Sequence, residues 1–194
     1  MDQFLTYFKV GFGHIISRDL GVDHILFIVA LTIRYQFADW KKLLVLVTAF
    51  TIGHSITLAL SVFNIVNYSI AWIEFLIPVT IVITALSNLF VKKFSFNTRF
   101  PLIYFFALFF GLIHGLGFSN YLKSMLGKDS SVVWELLAFN VGLEAGQLLI
   151  VLAMLIISFI FVNLFKCNRR EFLLYISGGA FVVALLMALE RVPH

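Results

Sequence analysis

The chain has 194 residues, 61% of them hydrophobic and 12% charged. A soluble domain runs nearer half apolar and a quarter charged, so the composition excludes a soluble globular protein. The net charge of +4 rests on basic residues clustered in short loops, the pattern of a membrane topology signal and not of nucleic-acid binding.

The length allows about six or seven spans of roughly 20 residues in an all-α bundle, read as one transmembrane domain over 1–194. In chain order, 2–17 (DQFLTYFKVGFGHIIS) is apolar but short and carries Lys9; it reads as a helix partly embedded in the bilayer. It lacks the positive start and small-residue cleavage site of a signal peptide and is expected to stay in the mature protein. A second short apolar run covers about 21–35. Longer runs follow at about 43–62, 69–91, 100–116, 132–164 and 172–190. The single cysteine, Cys167, sits in a basic loop and excludes an internal disulfide.

Loop charges orient these spans. The segments 34–42, 92–99 and 165–171 hold Arg34, Lys41, Lys42, Lys92, Lys93, Arg99, Lys166, Arg169 and Arg170. The loops 63–68 and 117–131, on the other side, hold only Lys123 and Lys128. The positive-inside rule makes the first set cytoplasmic. The expected location is the bacterial cytoplasmic membrane, with the opposite side facing the periplasm.

Against that topology the polar residues sort to one side. Asp23 and His24 fall near the outer start of their span, His54 and His114 toward the outer ends of theirs, and Asn140 and Glu144 a few turns in from outside. His14 precedes a turn, SRDLG (17–21), also expected outside. Asn140, Glu144 and Gln147 share one helical stripe, and Asn140 and Gln147 read as interhelical hydrogen-bonding residues. Small residues flank the histidines: Gly13, Gly53, Gly111 and Gly115. They allow close helix approach. Ionisable groups in a bilayer are costly, so they face the bundle interior and mark function. Imidazole and carboxylate suit borderline divalent metals such as zinc, nickel and cobalt. The candidate metal set is His14, Asp23, His24, His54, His114 and Glu144. Trp72 and Trp134 fit an aromatic belt, and Glu74 and His194 carry no metal expectation.

Four segments, GHIISRDLGVDHILF (13–27), VTAFTIGHSITLAL (47–60), FFGLIHGLGFSNYL (109–122) and FNVGLEAGQLL (139–149), resemble the HupE/UreJ family of bacterial membrane proteins. The resemblance covers about residues 10–150. It implies a nickel or cobalt permease associated with hydrogenase and urease accessory genes, with the histidines and Asp23 as metal-handling residues. The His-to-Asp-His spacing is longer here than in the hydrogenase-linked members, eight residues separating His14 from Asp23.

Two functional readings follow. In the first, a divalent transition metal, nickel or cobalt, enters from outside, binds the cluster and passes inward; the partners are the metal ion and membrane lipid, with no nucleic acid. In the second, zinc held by His24, His54 and His114 activates water, with Asp23 or Glu144 as catalytic base, on a lipid or lipid-linked substrate reached from the outer leaflet. That arrangement is similar in outline to membrane hydrolases of the alkaline ceramidase type.

Overall fold

A backbone inside a bilayer must satisfy its own hydrogen bonds, so these apolar runs become helices. The computed structural model describes residues 2–17, 21–91, 102–125 and 132–193, and the described residues are all-helical apart from loops and turns. The elements are α1 (Asp2–Ile16), α2 (Val22–Thr32), α3 (Trp40–Val62), α4 (Ile70–Leu89), α5 (Leu102–Met125), α6 (Val132–Phe159) and α7 (Arg169–Glu190). A short 3-10 turn, Phe37–Asp39, leads into α3, and α6 ends in one π-helical turn, Ile160–Leu164. Five helices are long and apolar enough to cross a membrane; α2 is apolar but shorter. Large side chains such as Phe105, Leu186 and Val133 point outward, more than half exposed, as a lipid-facing surface requires.

Two faces can be told apart by which helix ends meet. At one, Lys123 near the end of α5 donates to Asn64 just after α3, 3.0 Å away; Arg191 at the end of α7 reaches inward from that side to Asp23 at the start of α2, 3.1 Å away. At the other, Arg169 at the start of α7 donates to the Arg34 carbonyl just after α2, 2.7 Å away. This second face carries Arg34, Lys41, Lys42, Lys166, Arg169 and Arg170; the first carries Lys123 and Arg191. Lys92, Lys93, Arg99 and Lys128 lie outside the described residues.

Three features depart from the sequence-based expectation. α5 runs on to Met125, so the whole described part of the expected loop at 117–131 is helix. The second departure concerns α1, whose end is expected outside but is buried within the bundle, with Ile15 fully enclosed. It packs along α6 in the same direction: Gln3 donates to Glu135, the Phe8 backbone abuts Gly142, and Ile15 abuts Gly146. α1 therefore enters from the Lys123 face and ends inside the bundle. α2 resumes beside that end and leaves at the Arg34 face, so the two short helices together make one interrupted crossing. At the joint, Gly21 donates to Ser17 O at 2.9 Å. A Cβ on Gly21 would lie 2.4 Å from Ile15 O, so only glycine lets the chain close so tightly there. Residues 18–20 of the expected SRDLG turn lie outside the described residues; of its ends, Gly21 is buried and Ser17 half-buried. Third, Asn140 donates to Leu136 O of its own helix at 2.8 Å and is no interhelical tie. Gln147 is one, accepting from Thr51 of α3 at 2.8 Å.

Close helix packing sets the depth of the histidines. α3 and α5 run parallel and meet through glycines: a Cβ on Gly53 would come within 2.1 Å of Leu108 O, on Gly111 within 2.2 Å of Phe50 O, and on Gly115 within 2.3 Å of His54 O. His54 and His114 are thereby pressed toward one axis.

Candidate metal centre

Four helices contribute one imidazole each to a buried cluster. His14 comes from the last turn of α1, His24 from the first turn of α2, His54 from α3 and His114 from α5. All four are at most 5% exposed. One nitrogen from each of His14, His24 and His54 lies within 4.8 Å of the others. Ring centroids are 4.6 Å apart for His14 and His24, and 5.0 Å for His24 and His114. The sequence-derived zinc triad was His24, His54 and His114. The closest group instead has His14, because α1 ends inside the bundle, and His114 stands beside it.

Hydrogen bonding separates the four. His114 Nε2 meets Thr80 Oγ1 of α4 at 3.0 Å. Among the described residues, both ring nitrogens of His14, His24 and His54, and Nδ1 of His114, are buried with no hydrogen-bond partner. A buried polar group left unpaired costs about 1–3 kcal/mol, so seven such atoms in one place call for a ligand. They fit a divalent metal: every converging donor is an imidazole nitrogen, suited to zinc, nickel or cobalt. Nitrogens at about 2.0–2.1 Å from a metal stand closer together than 4.8 Å, so coordination draws the rings inward by about an ångström.

The two carboxylates do not join this group. Asp23 is turned to Arg191, whose Nη1 reaches both its oxygens at 3.3 and 3.1 Å. Glu144 accepts from Thr48 Oγ1 at 2.7 Å. Thr48 precedes His54 by six residues on α3, about 9 Å toward the Arg34 face. Because α6 crosses α3, Glu144 meets it below the histidines, although its sequence depth looked equal.

The surroundings are asymmetric. Toward the Lys123 face a cavity of about 310 Å³ opens beside the cluster, lined by His14, Asp23, His24, Glu74, His114 and Arg191, among others. Toward the Arg34 face the cluster is floored by aromatic rings. Phe27 follows His24, Phe50 precedes His54 and Phe110 precedes His114, each by one helical turn. Phe27 and Phe50 have centroids 5.0 Å apart, Phe27 and Phe110 5.9 Å, and Phe50 lies 5.2 Å from His114. Below that floor is a second, mostly apolar cavity of about 340 Å³, lined by Leu31, Arg34, Thr84, Ser87, Ala107 and Phe110, among others.

Arg191 and Thr80 were not read from the sequence. Arg191 ends a helix that looked generic. Thr80 follows Pro78 in an apolar run, where a lone hydroxyl gives no signal.

The chain matches the family described as HupE / UreJ protein over residues 1–191. No curated protein and no solved structure matches it. With nearly the whole length covered and the family's histidine segments gathered at one buried centre, the chain belongs to the HupE/UreJ family.

Proposed function

We propose that the protein carries a divalent transition metal, nickel or cobalt, inward across the bacterial cytoplasmic membrane, taking it up at the histidine cluster. The observation that carries this reading is the position of the cluster at the joint between α1 and α2. Interrupted helices near mid-membrane are how transporters present helix ends to an ion. The carboxyl end of α1 brings partial negative charge beside His14, which suits a cation. Family membership points the same way, to nickel- or cobalt-related membrane function.

Direction follows from charge. The basic face is cytoplasmic by the positive-inside rule, so the 310 Å³ cavity opens to the periplasm. A way inward is suggested by hydroxyls along α4. Thr80 touches His114, and Thr84 and Ser87, on the same stripe, line the lower cavity. Transport requires the phenylalanine floor to part.

A zinc-dependent hydrolase at the same histidines draws on one observation, that the upper cavity has room for more than a bare ion. Its two candidate bases are engaged elsewhere, Asp23 by Arg191 and Glu144 by Thr48, and this favours transport. The test is uptake of radioactive nickel or cobalt into proteoliposomes. The expected result is uptake by the wild type, lost in His54→Ala. Uptake unchanged by His54→Ala sinks the transport reading. Tightly retained zinc without uptake turns the case to the hydrolase.

A further inference from the structure

Asp23 is the one carboxylate that lines the upper cavity next to a cluster histidine in sequence, and it is not open to an arriving cation. Arg191 Nη1 spans both its oxygens at 3.3 and 3.1 Å, and both side chains are mostly shielded, 34% exposed for Arg191 and 17% for Asp23. The pair joins two helix ends of opposite polarity. Asp23 is in the first turn of α2, where the helix end favours an anion, and Arg191 caps α7, where it favours a cation. The contact is thus held by more than the two side chains. Glu74, on α4, lines the same cavity.

A cation reaching the histidines from this cavity passes Asp23 and must compete with Arg191 for it. At equal distance a divalent ion attracts a carboxylate about twice as strongly as a guanidinium does. A sodium or potassium ion has no such advantage, and the guanidinium adds charge-assisted hydrogen bonds. We infer that Arg191 is a selectivity residue for the metal centre: it occupies Asp23 against monovalent cations and yields it only to a divalent one, which then passes to His14, His24 and His54. This inference rests on the metal-binding reading above.

Cobalt(II) titration of the full-length protein in detergent, followed by its visible absorption, tests it. Wild-type affinity should be the same in high potassium as in a bulky organic cation. Arg191→Gln should bind cobalt about tenfold tighter, because Asp23 is released and an opposing charge is gone, and high potassium should now weaken that binding. Arg191→Lys, which keeps the charge but loses the two-oxygen contact, should gain about threefold. In an Asp23→Asn background, where only the removed charge can act, Arg191→Gln should bring a clearly smaller gain and no potassium effect, a result that a merely structural arginine does not predict. Equal or weaker cobalt binding in Arg191→Gln overturns the proposal. So does a gain as large without Asp23 as with it, and so does wild-type affinity in Arg191→Lys should Arg191→Gln not purify. A wild type that binds no cobalt at all overturns the metal-binding reading itself.

Discussion

His54 is fully buried on α3, with both ring nitrogens unpartnered. His14 and His24 share that condition, whereas His114 has Thr80. Single replacements should therefore differ in effect. His14→Ala, His24→Ala or His54→Ala should weaken cobalt or nickel binding by about a hundredfold or more, read by calorimetry in detergent. Thr80→Val removes only the partner that orients His114; by analogy with other outer-shell changes it should cost about tenfold. Equal losses from Thr80→Val and His54→Ala would contradict this ranking. The histidines were legible in the sequence because His14, His54 and His114 sit beside glycines and His24 beside Asp23, all in otherwise lipid-like runs. Asp23 was legible as polar, but its partner was not: Arg191 lies 168 positions away, and nothing local to α7 points to α2. Glu144 misled for a related reason. Counting residues from a loop gives depth along a helix axis but not the tilt with which α6 crosses α3.

At the level of elements, the bundle relies on glycines where helix backbones touch. α3 and α5 meet through Gly53, Gly111 and Gly115, each facing a backbone oxygen that a Cβ would strike. Gly111→Leu should force the two helices apart, lowering thermal stability and abolishing metal binding together, because His54 and His114 ride on the same pair. Gly178→Ala and Gly179→Ala on α7 meet nothing within 4 Å and should leave both unchanged or slightly raise stability through better helix propensity. Thermal unfolding in detergent separates the two groups. Small-residue packing was readable from sequence spacing. The course of α1 was not: hydrophobic periodicity identifies a helix and its apolar face, but it carries no sign of direction. Whether a short helix lies flat, spans or stops halfway was settled by its contacts with α6. α2 carries a further tertiary tie of this kind, Asn88 of α4 donating to Ala30 O at 2.7 Å and to Ser177 Oγ at 2.9 Å. Asn88→Leu should loosen the α2–α4–α7 contact by roughly 1–2 kcal/mol, seen as a lower melting temperature with metal affinity nearly retained.

For the whole molecule, the proposed orientation can be checked through its single cysteine. Cys167 is exposed, between Lys166 and the basic start of α7. A membrane-impermeant thiol reagent should label it in inside-out vesicles and not in intact spheroplasts. The reverse pattern would turn the site toward the cytoplasm and reverse the proposed direction of transport. The aromatic floor has an electrical consequence in this orientation. With the basic face inside, the upper cavity would open to the periplasm with a partly polar lining, while Phe27, Phe50 and Phe110 close an apolar layer beneath the histidines. Membrane voltage falls mainly across dry, poorly polarisable material, so most of it drops below the site and not above it. Capture of the ion should then be nearly indifferent to voltage, whereas its passage through the floor does most of the electrical work. A doubly charged ion gains about 4.6 kcal/mol per 100 mV over the full potential, and a negative interior supplies that energy to the inward step.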